Sequence, residues 1–318
     1  MIKAILTLAV TTSAMMYSNS VAFAEIKAET DQVIKVGQIG NPEGDFLSYT
    51  LGKVLEKAGY KVEIVKADYT AQYTAVELGD LDIVATAWTN TPDLIDAALK
   101  SGKVEDVGST GLAIYEGWWY PAYMEKACPG LPNWEALKTP ECIAAFSSPE
   151  APGKIHYIGT PADWTVYDEL RIEALGLQFD IVPAGTQAAM IAAMQGAISR
   201  KEGVMGYGMS PHWLFDGDAG KFLDLPPYEP ACAADPAWGV NPNKVWDCAM
   251  PRGTVDKLIN VTVKERAPGA YQILQRYKMD NKSLSQATHA AESAGKDIED
   301  IADEWVSQNS TVWSEWLK

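Results

Sequence analysis

What the sequence has little of narrows its chemistry before any motif is read. Histidine occurs three times and cysteine four times in 318 residues. The histidines, His156, His212 and His289, are scattered, and the cysteine spacings match no zinc site. Neither a metal nor any other cofactor is expected. There is no G-x-S-x-G elbow, no H-E-x-x-H and no C-x-x-C, so nothing marks a nucleophile with its base. Basic residues are also scarce: 26 Lys and Arg stand against 42 Asp and Glu, a net charge of −16. So acidic a chain is a poor partner for nucleic acid or for an anionic membrane surface. A multiply anionic ligand is disfavoured as well, whereas a cationic or zwitterionic one is not.

Long apolar runs are missing beyond the first residues, MIKAILTLAVTTSAMMYSNSVAFAE. A lone Lys3, an apolar run and the ending Ala22-Phe23-Ala24 read as a secretory signal peptide cut after Ala24. A membrane anchor would need roughly 20 continuous apolar residues, and Thr11, Thr12, Ser13, Ser18, Asn19 and Ser20 interrupt this run. An even cysteine count in an exported chain reads as disulfides. Three pairings exist. Cys128–Cys142 and Cys232–Cys248 are expected, because each closes a short Pro-rich loop, and crosslinking a loop near 15 residues gains roughly 3 kcal/mol.

Tryptophan, by contrast, is plentiful, with eleven in the chain. Their placement follows from the element pattern. Residues 32–40 read as a buried strand, and Phe46, Leu47, Leu51, Val54 and Leu55 then recur at helical spacing. Strands follow at 61–67 and 81–87, then along VEDVGSTGLAIYEGWWYPAY, with helices between them. The middle repeats the theme. Strands at 154–160, FDIVPAG and 203–209 alternate with a helix carrying Leu170, Ile172, Ala174 and Leu175 inward and a helix opened by Thr186. Ser210 and Pro211 stand in the order of an N-cap and first helical residue. Beyond the Pro-rich stretch 225–251 come a further strand–helix unit and two acidic helices. Such alternation predicts an α/β fold with a mostly parallel sheet in two units.

In such folds ligands bind at the carboxyl ends of strands. Trp88, the doublet Trp118-Trp119, Trp164 and Trp213 all fall at predicted strand ends. Indole faces are negative, so several around one pocket form a cage for a quaternary ammonium, which has no N–H to donate. Trp305, Trp313 and Trp316 instead read as packing of the C-terminal helix on the first unit.

The segments DYTAQYTAVELGDLDIVATAW with TPDL, GWWYP, PADWTVYDE, YGMSPHW and the C-terminal DIEDIADEWVSQNSTVWSEWLK resemble the glycine betaine/proline betaine-binding periplasmic proteins of ABC transporters. The resemblance spans about residues 33–318. It implies a type II periplasmic-binding fold, with residues 25–117 and 223–318 forming one lobe and 118–222 the other. It also implies a monomer in the periplasm that hands a small methylated onium compound to a permease and ATPase. Candidate ligands are glycine betaine, choline, carnitine, trimethylamine N-oxide and dimethylsulfoniopropionate. By position, Trp88 and Trp164 match the family's cage. Met209 stands where relatives commonly carry tryptophan, which suggests that one indole of Trp118-Trp119 replaces it at the cleft while the other packs beneath it or against the second lobe. Trp213 and His212 complete the candidate set. Glu116 faces either solvent at the hinge or the cleft, where it would favour a net cation or a protonated N-oxide. A secreted enzyme acting on a choline-like compound and a sensor domain are the alternatives; neighbouring permease and ATPase genes would favour uptake.

Overall fold

The computed structural model describes residues 25–162, 164 and 166–318. The expected signal peptide lies outside the described residues. The chain runs β1 (Ile34–Gln38), α1 (Pro42–Lys57), β2 (Val62–Lys66), α2 (Ala71–Leu78), β3 (Ile83–Trp88), α3 (Pro92–Lys100) and the long β4 (Val104–Pro121). It continues through α4 (Pro140–Phe146), β5 (Ile155–Pro161), α5 (Asp168–Leu175), β6 (Phe179–Ala184), α6 (Gln187–Arg200), β7 (Met205–Ser210) and β8 (Gly220–Phe222). The last part holds α7 (Ala231–Ala234), β9 (Gly253–Asn260), α8 (Val263–Arg266), α9 (Pro268–Arg276), α10 (Asn281–Ala294) and α11 (Ile298–Gln308).

The strands hydrogen-bond in the order β2-β1-β3-β9-β4-β7-β5-β6, with β8 on the end of β4. β1–β2, β1–β3, β5–β6 and β5–β7 are parallel, whereas β9 and β4 run antiparallel to their neighbours. β4 joins two sheet halves: through Ile114 it pairs with β9, and from Tyr115 it pairs with β7. Each half has its own core. The first lobe packs α1, α9, α10 and α11 on β1, β3 and β9, through Phe46, Leu51, Ile259, Leu284 and their neighbours. The second lobe packs around Trp118, Trp119, Tyr157, Met190 and Met194. No helix among the described residues is long and apolar enough to cross a membrane.

Local chemistry explains the helix starts that shape the region between the lobes. Asn41 accepts a hydrogen bond from the Gly44 amide at 2.8 Å, and Pro42 supplies the first helical residue of α1. Thr186 does the same for α6, accepting from the Ala189 amide at 3.1 Å. Both expected disulfides are formed, Cys128–Cys142 and Cys232–Cys248.

Several expectations change. The sheet is not mostly parallel: four strand pairings are parallel and four antiparallel, because β4 and β9 cross between the halves. Ser210 ends β7 and Pro211 begins a turn, not a helix. The carboxylate of Asp216 folds back onto the His212 amide at 2.7 Å and closes that turn. On α5, Leu170 faces solvent, and Arg171 takes the inward position between the Asp168 carboxylate and the Cys248 carbonyl. The segment after residue 223 does not return at once to the first lobe. Leu225 and Met250 join the second core, Tyr167 and Trp246 stack at 3.9 Å, and Arg171 Nε donates to the Cys248 carbonyl at 2.6 Å. The return crossing comes at β9.

The doublet Trp118-Trp119 is core on both sides of β4. Strand alternation sends the two rings to opposite faces, and both are completely buried. Trp118 packs on Phe179 at 4.9 Å and Tyr157 at 6.0 Å, and its Nε1 donates to Asp168 at 3.0 Å. Trp119 lies against Phe215 and over two glycines: a Cβ on Gly208 would come within 2.7 Å of Trp119, and one on Gly220 within 2.0 Å. The room for the second indole is made by residues about 90 and 100 positions away.

Trp118→Ala should therefore act on stability. Removing a buried indole costs about 3–5 kcal/mol, and it also strips one donor from buried Asp168. Chemical denaturation of the ligand-free protein should show that loss; a change under 1 kcal/mol would contradict the packing described.

Candidate functional site

A cavity of about 250 Å³ lies between the lobes. The first lobe contributes Trp88 at the end of β3, Tyr69 before α2, and Asn90 in the loop after β3. The second contributes Trp164 after β5, and Tyr207 and Met209 from β7. These positions are the carboxyl ends of strands or the loops that follow them, where an α/β sheet leaves its helices and opens a crevice. Trp164 and Tyr207 meet edge-to-face at 6.0 Å. The Tyr69 hydroxyl is fixed by Thr91 at 2.8 Å and Tyr73 at 3.0 Å. The aromatic walls are thus braced before any ligand enters.

Glu116 sits on β4 where the strand passes from one lobe to the other, and its carboxyl lines the cavity. The register sets Glu116 opposite Met209 and Trp118 opposite Tyr207. All four side chains therefore share one face of the sheet. The Asn90 amide and the Tyr207 hydroxyl both donate to the carboxylate. Burial nevertheless pushes its pKa up to about 7, helped by the Asp168 carboxylate on the same side and opposed by the two donors. Glu116 thus exchanges its proton near neutrality and can either donate or accept a hydrogen bond. Two further acids, Glu43 and Asp68, line the cavity, and its lining among the described residues contains no lysine or arginine. The N-terminal turns of α1 and α6 both face it, but the Gly44 and Ala189 amides are already taken by Asn41 and Thr186.

Beside the cavity a polar cluster bridges the lobes. Gln187 Nε2 donates to both carboxylate oxygens of Glu43, at 3.1 and 2.9 Å, and lies 3.3 Å from Glu292. His212 Nε2 is 2.8 Å from Glu292 and 3.7 Å from Glu43, and Trp213 Nε1 donates to Glu292 at 2.8 Å. Burial pushes the Glu43 carboxyl up, despite the His212 ring and Gln187. Burial acts the same way on Glu292, but hydrogen bonds from His212 and Trp213 outweigh it and hold that acid down. The ligating atoms of Glu43, His212 and Glu292 lie within 4.8 Å of one another, a grouping with metal-binding chemistry. Here those acceptors are taken up by Gln187 and Trp213 donors.

The eight candidate residues separate accordingly. Trp88, Trp164, Met209 and Glu116 line the cavity. Trp118 and Trp119 do not: they lie in the second core, because that face of β4 beyond Glu116 is covered by α5 and β5 side chains, and the opposite face by Phe215. His212 is completely buried in the polar cluster. Trp213 turns outward from the cavity, its ring against His289 at 5.1 Å and its N–H on Glu292. Sequence reasoning missed Tyr69, Asn90 and Tyr207. Tyr69 and Asn90 flank ordinary turns, but Tyr207 alternates with Met209 along β7, and that period of two was readable.

Residues 32–308 match the family described as the substrate binding domain of ABC-type glycine betaine transport systems. Among curated proteins, the chain is 27% identical over 280 residues to the trimethylamine N-oxide-binding protein of Pelagibacter ubique (strain HTCC1062), covering 86% of each. Among solved structures it resembles the glycine betaine/L-proline-binding protein ProX from Borrelia burgdorferi, with a TM-score of 0.70 at 18% identity, over 90% of this chain and 97% of that one. It also resembles lactococcal OpuAC in its closed conformation complexed with glycine betaine, with a TM-score of 0.68 at 18% identity, over 91% and 100%.

The environment of Glu116 makes a direct prediction for the ligand-free protein. Its carboxyl carbon, followed by NMR, should titrate with a midpoint of about 7. Asn90→Ala removes a hydrogen bond that favours the ionised form, so the midpoint should rise further. A wild-type midpoint in the ordinary carboxylate range would contradict the burial described.

Proposed function

The chain belongs to the family of substrate-binding domains of ABC-type glycine betaine transport systems, and we propose that it captures a small methylated amine oxide, of which trimethylamine N-oxide is the simplest. Capture would occur outside the cytoplasm, in a monomer that delivers the ligand to an importer without chemical change. Members of this family bind small quaternary ammonium compounds and work with an ABC transporter. The identity of the ligand rests on Glu116.

An N-oxide joins a methylated cationic nitrogen to a strongly accepting oxygen. Trp88 and Trp164 approach the cavity from opposite lobes and offer indole faces to the methylated end. Protonated Glu116 and the Asn90 amide offer donors to the oxygen. A carboxylate-bearing ligand such as glycine betaine fits this lining less well. It would gain most from cationic donors, and the charged groups the cavity presents are Glu43, Asp68 and Glu116. The relative from Pelagibacter, named for trimethylamine N-oxide, supports the same reading. The three acids favour a second reading, a net cation such as choline paired with ionised Glu116.

The two readings differ in sign with pH. A ligand that needs protonated Glu116 binds best below about pH 7 and loses affinity as the carboxyl ionises above it. A cation that needs the ionised form does the reverse. Calorimetry at about pH 6 and about pH 8 should show trimethylamine N-oxide affinity falling about tenfold with rising pH. Glu116→Gln keeps a donor at every pH, so N-oxide binding should persist and lose that dependence, while choline binding stays weak. Trp88→Ala or Trp164→Ala should cost about 2 kcal/mol, roughly thirtyfold in affinity. Choline affinity that rises with pH and exceeds that of the N-oxide would select the second reading. If amino acids or sugars bind and no methylated onium compound does, both readings fail.

A further inference from the structure

The polar cluster beside the cavity has a one-sided construction. Its acceptors, Glu43 on α1 and Glu292 on α10, belong to elements packed on the first core. Its donors, Gln187 at the start of α6 and His212 and Trp213 after β7, belong to the second. Every hydrogen bond within the cluster therefore crosses from lobe to lobe. The Ser285 hydroxyl, which meets Asp216 at 3.3 Å, adds one more at the rim. Neither lobe needs these bonds for its own core, because Leu284 and Ala287 hold α10 in the first and Leu214 and Phe215 hold the turn in the second.

We propose that Glu43, Gln187, His212, Trp213 and Glu292 form a clasp that holds the lobes closed, and that His212, Trp213 and Glu292 are positioning residues for ligand capture. These three lie outside the cavity lining, so they act on the ligand through closure. The clasp is complementary only when shut. Opening separates two acids from the donors that satisfy them, and leaves each half of the cluster to water. A buried hydrogen bond to a charged group is among the stronger ones a protein makes. The starts of α1 and α6 meet across the gap through the clasp bond between Glu43 and Gln187. Glu43 and Gln187 also line the cavity, so ligand occupancy and clasp closure share two residues. This inference rests on the reading that the cavity closes over a ligand.

The test separates closure from ligand identity. Small-angle scattering of the ligand-free protein reports lobe separation with no ligand present. Glu292→Ala should raise the radius of gyration relative to the wild type, and Trp213→Phe, which deletes one donor and keeps the ring, should do so less. Glu292→Gln retains an accepting oxygen for Trp213 and His212 and should restore most of the closed population. With trimethylamine N-oxide as the probe, Glu292→Ala should raise the dissociation rate about tenfold to a hundredfold and leave the association rate within a factor of three. Glu116→Gln serves as the cavity control, whose scattering should match the wild type. An unchanged radius of gyration in both Glu292→Ala and Trp213→Phe overturns the clasp. So does equal loss of affinity in Glu292→Gln and Glu292→Ala, or scattering of the wild type that changes with chelator and is restored by zinc, which would make the cluster a metal site. If the probe fails to bind the wild type, the ligand assignment fails, and the scattering arm still decides the clasp.

Discussion

One strand belongs to both lobes, and the site depends on that. β4 runs from Val104 to Pro121, pairs with β9 in the first sheet half and with β7 and β8 in the second. A shared strand fixes the register of the two halves against each other, since a slip of one residue would invert every side chain along it. It also carries Glu116 to the point where neither core covers it and the cavity does. The same alternation buries Trp118 two residues later on the same face, with Asp168, Tyr157 and Arg171 around it. Burial beside this polar layer pushes the Glu116 carboxyl up to about 7.

Aromatic side chains serve two separate purposes in this chain, and composition alone does not sort them. Trp118, Trp119, Tyr157 and Phe179 fill the second core. Trp305 and Trp316 stack at 6.2 Å and pack on Phe46 and Tyr277 in the first. Trp88, Trp164, Tyr69 and Tyr207 form the cavity walls. The distinction is made by what lies opposite in the sheet. Glycines at 208 and 220 make room for Trp119, whereas Trp88 and Trp164 stand at and just past the ends of β3 and β5, beside the cavity.

Much of the fold was legible because its signals are local. Alternating strands and helices, the Thr186 start of α6 and the two short disulfide loops all rest on residues near one another in the chain. Trp88 and Trp164 were legible for the same reason, as indoles just past strand ends. What was not legible depends on distant partners. The place of Trp119 is decided by Gly208 and Gly220. The allegiance of residues 223–252 is decided by Arg171 and Tyr167. His212 looked like a lone histidine beside a cleft, and only the fold brings Glu43 and Glu292 to it from positions 169 residues before and 80 after.

The cavity combines opposite demands. Indole faces attract a methylated cation, while carboxyls resist burial unless they are protonated or paired. An amine oxide meets both, with a cationic end for the indoles and an oxygen for a protonated acid. The crystal structure of the protein with trimethylamine N-oxide tests this most directly. The account predicts the methyl groups between Trp88 and Trp164 and the oxygen within hydrogen-bond distance of the Glu116 carboxyl, with Trp118 and Trp119 still buried and untouched. A ligand whose oxygen turns away from Glu116, or one held by indoles outside the cavity, would contradict it.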